Sequence, residues 1–142
     1  MCIEGAPVRM FVDFRNAFPS VCRSALFYKL VQCNIGGNFL RILRSMYSSI
    51  TVKVKSNSML GSSIQSRSGL KQACVLSPLV FNIFARDLPN IFRPDCNPDL
   101  LGDRPLSCLM YADDLIIFSR SSPGLQNCLH RLDKYCRQCN LW

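Results

Sequence analysis

The order of apolar and polar residues along the chain divides it into strand-like and helix-like segments. Residues 9–12, 108–110 and 115–118 are short, mostly apolar runs of the length that is typical of buried strands. Residues 38–48 instead carry apolar side chains at helical spacing, and residues 76–88 are predicted to form a helix that is apolar on most sides and therefore central and buried. Strands and helices therefore follow one another along the chain, and no internal repeat interrupts them.

The remaining segments complete the predicted fold. Residues 20–33 are predicted to form the first helix, and the alternation in 51–55 predicts a half-buried strand that returns through 63–65. Three prolines make 93–105 a predicted loop, and a last helix is predicted to begin near residue 122. This order predicts a single α+β domain, an antiparallel sheet with helices packed on one face.

Positive charge is concentrated in the first half of the chain, and the net charge of the 142 residues is +8. Residues 1–72 hold ten Lys and Arg and two acidic residues, whereas residues 73–142 hold seven of each. Clustered positive charge favours contacts with nucleic-acid phosphates. A solvated basic surface that keeps the protein soluble is the alternative. The candidate backbone contacts are Arg41, Arg44, Lys53, Lys55, Arg67 and Lys71.

Asp113 and Asp114 stand between two apolar runs. Neighbouring side chains of a continuous strand point to opposite faces, so the two carboxylates share a site only if a tight turn separates two strands there. Two ionised carboxylates beside apolar strands repel each other and lose hydration unless a cation compensates them. The pair therefore indicates either a divalent metal site or a solvated hairpin turn.

Asp13 ends the first predicted strand and would add a third carboxylate if that strand lay beside the hairpin. Hard divalent ions such as Mg²⁺ keep several waters, so a few carboxylates together with substrate phosphates suffice to bind them. Two such ions stabilise the attacking and leaving oxygens of an in-line displacement. The alternative for Asp13 is an acid that stabilises the N-terminus of the next helix.

Three segments in a fixed order carry a family resemblance. The first is Asp13-Phe14-Arg15-Asn16-Ala17-Phe18, and the last is Tyr111-Ala112-Asp113-Asp114. Between them, Ser68 to Phe84 runs through Gln72 into a predicted helix start, with Ser77 as N-cap and Pro78 at the first helical position. Together the segments resemble the polymerase motifs of reverse transcriptases from LINE-type, non-LTR retrotransposons. The resemblance extends from Phe11 to Trp142 and implies a polymerase-type palm, a partial reverse transcriptase domain over 1–142 with fingers and thumb absent.

The resemblance also implies a role for individual residues. Asp13, Asp113 and Asp114 would be the catalytic carboxylates, and with the backbone carbonyl of Phe14 they would hold Mg²⁺ or Mn²⁺. Tyr111 would lie near the primer end. The incoming nucleotide would contact Arg15, Asn16, Ala17, Gln72 and Phe18, whose ring would exclude a 2′-hydroxyl. Three of these side chains have other interpretations: Phe18 as a core residue, Gln72 as an exposed loop residue and Tyr111 as a strand aromatic.

The implied activity is RNA-directed DNA polymerisation, which uses an RNA template, a DNA primer and deoxynucleoside triphosphates. The chain departs from the family's usual Lys, Asp and Gly at Asn16, Pro19 and Ala73. These departures support an alternative function, a catalytically dead nucleic-acid-binding remnant of a degenerate retroelement. In this family, basic residues of the fingers bind the triphosphate and the thumb holds the duplex. Without these elements to position the reactants, the isolated chain is expected to be inactive in primer extension.

Nine cysteines raise the question of zinc or disulfides. Cys136 and Cys139 form a C-x-x-C pair near Cys128 and His130, but the segment has a helical apolar pattern, which favours core packing over zinc. The odd cysteine count and the lack of a signal peptide favour an intracellular location, with the nucleus as one option. No apolar run approaches the roughly 20 residues that span a bilayer, so a membrane protein is not expected.

Overall fold

The computed structural model describes residues 7–141; Trp142, where the family resemblance ends, lies outside them. The helices and strands of this part are β1 (Val8–Asp13), α1 (Ala17–Ser20), α2 (Arg23–Gln32), α3 (Gly37–Ser48), β2 (Thr51–Ser56), β3 (Met59–Gln65), α4 (Ser77–Phe84), β4 (Asp99–Leu101), β5 (Arg104–Leu106), β6 (Cys108–Tyr111), β7 (Asp114–Ser119) and α5 (Ser122–Cys139). Two short 3₁₀ turns, Leu88–Ile91 and Pro94–Cys96, follow α4.

The main sheet has the strand order β1-β7-β6, and both pairings are antiparallel. Leu115 of the central strand β7 lies between Val12 of β1 and Met110 of β6. All three side chains point to the core face of the sheet. The other face is open, because Phe11 and Tyr111 are 76% and 70% exposed. The predicted strands on both sides of residues 113 and 114, and the tight turn between them, are confirmed.

Helices cover the inner face of this sheet. Leu26 and Leu30 of α2 are fully buried, as are Phe81 and Phe84 of α4, whose rings lie 6.3 Å apart. On α5 the buried residues are Gly124, Cys128, Leu132 and Tyr135. The predicted α+β class is confirmed, and apolar burial on one side of the sheet supplies its driving force.

Three predicted helix boundaries are wrong. The predicted helix 20–33 is broken before Arg23, because the backbone carbonyls of Phe18 and Val21 accept hydrogen bonds from Leu70 and Gly69 instead of continuing a helix. The helix predicted over 76–88 ends at Phe84 and passes into a 3₁₀ turn. Ser77 is not the N-cap of that helix, since Leu76 occupies that position and the Ser77 hydroxyl donates to the carbonyl of Lys71 at 2.5 Å.

The segment 93–105, predicted to be a loop, contains the strand β4 and the first two residues of β5. They pair only with each other within residues 7–141, and Pro105 lies in this small two-stranded sheet. Proline is compatible with a strand whose N–H side has no ladder partner. The proline signal therefore marked an edge strand and not an unstructured loop.

The hairpin β2–β3 is more exposed than its alternating sequence predicted. All residues of both strands are exposed, and the two strands form a separate sheet. Five of their large apolar side chains are among the exposed ones, namely Val52, Val54, Met59, Leu60 and Ile64. Alternation fixes which side chains share a face, but no residue of 7–141 packs over that face.

The start of α5 packs tightly against the chain that precedes it. Ser121 is the N-cap, and its hydroxyl accepts a hydrogen bond from the N–H of Gly124. A Cβ atom at position 124 would lie 2.5 Å from the carbonyl oxygen of Cys96 and 2.5 Å from Oγ of Ser119. Only glycine fits this contact without displacing backbone. No helix among residues 7–141 is both long and apolar enough to cross a membrane.

Candidate active site

The turn between β6 and β7 consists of Ala112 and Asp113. Tyr111 and Asp114 face each other as the last pair of the ladder, so the turn contains two residues. Ala112 is buried and has a φ of 53°, the left-handed region in which two-residue hairpin turns place their first residue. This tight turn brings Asp113 and Asp114 to the same end of the sheet.

Asp13 lies directly opposite Asp114 across the β1–β7 ladder. Opposite residues of an antiparallel pair project to the same face, with Cβ atoms about 5 Å apart. Both side chains are exposed and Asp113 is half-buried. No Lys, Arg or His within 7–141 forms an ion pair with any of the three. In the same part of the chain, no three His, Cys, Asp or Glu side chains are grouped so as to enclose a metal ion.

Phe18 and Gln72 line one pocket. The pocket has a volume of about 210 Å³, and Ala73, Cys74 and Pro78 also line it. The N–H of Leu70 donates to the carbonyl of Phe18 at 2.8 Å and so brings the two segments together. Phe18 is half-buried, and its ring lies 5.3 Å from that of Phe81, so part of it belongs to the core. Gln72 is exposed.

The backbone around the first motif is shaped by Asn16, which has a φ of 55°. Asparagine tolerates this left-handed conformation better than most residues. The carbonyl of Phe14 accepts a hydrogen bond from the N–H of Ala17 at 3.3 Å, and the ring of Phe14 and the methyl group of Ala17 are buried. Arg15 and Asn16 are exposed beside them. The proposed roles of these four residues stay predictions.

Two residues that organise the site were missed from the sequence. Arg23 donates to the carbonyls of Tyr47, Ser66, Ser68 and Gly69 at 2.8–3.1 Å and lies over the ring of Tyr47. It thereby holds the segment that leads into Gln72. Asn82 of α4 accepts a hydrogen bond from the N–H of Ala112 at 2.8 Å. These contacts join residues 24 to 46 positions apart, so no local pattern in the sequence indicates them.

Ala73 has a φ of 58° and occupies the position where the family usually has glycine. A left-handed alanine costs about 1–2 kcal/mol, because its Cβ approaches the following carbonyl oxygen. The strain lies on the wall of the pocket that Phe18 and Gln72 line. The departure from glycine at position 73 therefore carries a cost in backbone strain.

Replacing Ala73 with glycine should stabilise the folded chain by about 1 kcal/mol, because the relief of left-handed strain exceeds the added entropy of the unfolded chain. Denaturant unfolding of both proteins measures the change. Ala25→Gly, inside helix α2, is the matched control and should destabilise by about 0.5–1 kcal/mol. Equal losses of stability in both variants would contradict a strained Ala73.

The basic residues occupy two surfaces of the first half. Arg41 and Arg44 lie on α3, where the Arg44 guanidinium is 5.3 Å from the centre of the Phe27 ring. Lys53 and Lys55 lie on β2, and Arg67 and Lys71 follow the hairpin. All six are exposed. A groove of about 510 Å³ lies between the base of the hairpin and the segment 66–72, and Lys71 lines it.

The cysteines in the last helix pack into the protein. Cys128 is fully buried, and Cys136 and Cys139 are half-buried. Burial raises the pKa of Cys128 to about 12 and that of Cys136 to about 11, so both thiols keep their protons at neutral pH. The prediction of core packing is confirmed for these residues.

Comparison with known proteins identifies the family. The chain belongs to the reverse transcriptase (RNA-dependent DNA polymerase) family, whose model matches residues 3–142. It is 26% identical over 138 residues to a probable RNA-directed DNA polymerase from transposon X-element of Drosophila melanogaster. It is 25% identical over 135 residues to a retrovirus-related Pol polyprotein from type-1 retrotransposable element R2 of Nasonia vitripennis.

These relatives confirm the resemblance to reverse transcriptases of non-LTR retrotransposons. The alignments cover 93% and 94% of this chain but 14% and 13% of the two relatives. The chain therefore spans about one seventh of the length of each.

Proposed function

We propose that this chain forms the palm of an RNA-directed DNA polymerase of a non-LTR retrotransposon. The observation that carries the proposal is the pairing of Asp13 with Asp114 at the sheet end where Asp113 turns the chain. Two exposed carboxylates on neighbouring strands repel each other. A cation bound between Asp13 and Asp114 would offset this repulsion.

The donor set fits Mg²⁺ or Mn²⁺. Asp13, Asp113 and Asp114 supply hard oxygen ligands, and the carbonyl of Phe14, which accepts one hydrogen bond, retains a lone pair. Mg²⁺ retains waters and takes substrate phosphates, so it does not require three enclosing side chains. Bound there, divalent ions would neutralise charge on the attacking and leaving oxygens of nucleotidyl transfer. The residues of the chain fix the carboxylates at one end of a rigid sheet.

The pocket that Phe18 and Gln72 line is the proposed site of the incoming deoxynucleotide. Phe18 presents the exposed part of its ring to the pocket, where it would exclude a 2′-hydroxyl, and Gln72 would donate a hydrogen bond to the nucleotide. Arg15, Asn16 and Ala17 connect this pocket to Asp13 along the chain. Tyr111 lies opposite Asp114 on the open face of the sheet, where a primer end would contact its exposed ring.

The chain should bind Mn²⁺ together with a deoxynucleoside triphosphate, and Asp13→Asn combined with Asp113→Asn should abolish this binding, because the substitutions remove two charged ligands. Isothermal titration calorimetry with a Mn²⁺–nucleotide mixture measures it. Asp99→Asn with Asp103→Asn, on the neighbouring β4–β5 hairpin, is the control and should bind normally.

Equal binding by both double variants would contradict the proposed metal site. If the chain bound nucleic acid but no Mn²⁺–nucleotide, the catalytically dead remnant would be the better assignment. The strained Ala73 gives that alternative a specific physical reason.

Affinity for an RNA–DNA duplex should fall steeply with salt, since phosphate contacts release counterions. Alanine at Lys53, Lys55, Arg67 and Lys71 should reduce the slope of log K against log salt by about one for each phosphate contact that is lost. Fluorescence anisotropy over a range of salt concentrations measures both slopes. Alanine at Arg93, Arg104, Arg120 and Lys134, from the half of zero net charge, is the control. If only the control variant had an altered slope, the binding surface would lie in the second half of the chain instead.

A further inference from the structure

The turn that carries Asp113 is held by a side chain from outside its own hairpin. Ala112 adopts a left-handed φ of 53°, which is unfavourable for an alanine. Its N–H donates to Oδ1 of Asn82 at 2.8 Å, and the two residues are 30 positions apart. Ala112 is buried and Asn82 is half-buried, so water competes poorly for this bond.

The conformation of Ala112 determines where Asp113 points. Two-residue hairpin turns require a positive φ at their first residue to match the twist of the flanking strands. If Ala112 returned to the right-handed region, the turn type would change. Asp113 would then move relative to Asp13 and Asp114, which the β1–β7 ladder fixes.

The helix that carries Asn82 is also tied to the nucleotide pocket. At its first residue, the Ser77 hydroxyl donates to the carbonyl of Lys71 at 2.5 Å, next to Gln72. Phe81, the neighbour of Asn82, packs against the ring of Phe18, which lines the pocket. One short helix thus contacts the pocket through Ser77, supports Phe18 through Phe81 and holds the carboxylate turn through Asn82.

We infer that Asn82 is a positioning residue, which holds Ala112 in its left-handed conformation and so aims the carboxylate of Asp113 at the divalent cation that Asp13 and Asp114 would share. The inference rests on the proposed metal site. Asn82 itself touches neither the cation nor the substrate. It acts through the backbone of Ala112.

Replacing Asn82 with leucine, which has a similar size but no acceptor, should weaken Mn²⁺ binding about tenfold, as expected for the loss of one buried hydrogen bond. Hydrogen exchange of the Ala112 amide, followed by NMR, should accelerate by at least a similar factor. Ala112→Gly, added to Asn82→Leu, should restore most of the Mn²⁺ affinity, because glycine adopts the left-handed conformation without help. If Asn82 contributed only to the overall stability of the fold, Ala112→Gly would not restore the Mn²⁺ affinity.

Asn127→Leu is the matched control, since Asn127 is also a half-buried helical asparagine with one hydrogen bond to backbone, at 3.1 Å. It should leave Mn²⁺ affinity and Ala112 exchange unchanged. Asn82→Asp keeps the acceptor, so it should keep the Ala112 amide protected even if Asn82→Leu does not fold. Unchanged exchange in Asn82→Leu, or rapid exchange in Asn82→Asp, would overturn the inference. Absence of Mn²⁺ binding in the unsubstituted chain would refute the metal site, and amide exchange would still decide whether Asn82 holds the turn.

Discussion

Arg23→Met should destabilise the chain by about 3 kcal/mol, the largest loss that we expect from a single side chain. The substitution removes the Arg23 donor from the carbonyls of Tyr47, Ser66 and Gly69. It also leaves the carbonyl of Ser68 with the Ser66 hydroxyl as its remaining side-chain donor. Methionine keeps much of the apolar stem, so the loss reports mainly on hydrogen bonds. Chemical denaturation with two spectroscopic probes measures the free energy of unfolding.

Two further substitutions separate the geometry of Arg23 from its charge. Arg23→Lys keeps the charge but loses the planar fork that reaches several carbonyls, so it should recover little stability. Arg120→Met, at an exposed arginine, should change stability by no more than about 0.5 kcal/mol. Full stability in Arg23→Lys would mean that the network contributes only through charge.

Gly124→Ala should destabilise the chain by about 2 kcal/mol, although alanine is the better helix former. The new Cβ would meet the carbonyl oxygen of Cys96 and Oγ of Ser119, both at 2.5 Å. Because Ser119 is fully buried and donates to the Cys96 carbonyl, neither atom has room to move. Thermal unfolding monitored by circular dichroism measures the shift in Tm.

Gly36→Ala provides the comparison, because a Cβ at position 36 would meet no atom within 4 Å. It should cost about 0.5–1 kcal/mol, as expected when alanine replaces glycine at a helix N-cap, and therefore clearly less than Gly124→Ala. If the two alanine variants were equally stable, α5 would have to shift freely against the Cys96 backbone.

The positions of the three carboxylates could be predicted from the sequence, whereas the residues that hold the site in place, Arg23 and Asn82, could not. Short apolar runs on both sides of Asp113 and Asp114 imposed two strands and a turn, and the turn placed both carboxylates at one edge. Asp13 ended a strand, so pairing of that strand with β7 brought it to the same edge. These predictions needed only strand periodicity and turn chemistry.

The contacts of Arg23 and Asn82 could not be predicted, because they join segments that are distant in the sequence. Nothing near Asn82 indicates a bond to Ala112, and nothing near Arg23 indicates that it binds carbonyls more than 40 positions away. The burial of the β2–β3 hairpin was predicted wrongly for a related reason. Alternation shows that a strand has two unlike faces, but the covering layer is decided by the tertiary fold.

The exposed β2–β3 hairpin also has a consequence for self-association of the chain. A two-stranded sheet leaves one edge of each strand without a ladder partner within residues 7–141, and such edges recruit strands from other copies. Lys53 and Lys55 would repel an approaching hairpin of the same sequence, so we expect them to oppose such pairing at low ionic strength. Screening by salt removes that repulsion while leaving the apolar side chains exposed, which makes concentrated, high-salt solutions the conditions that favour aggregation.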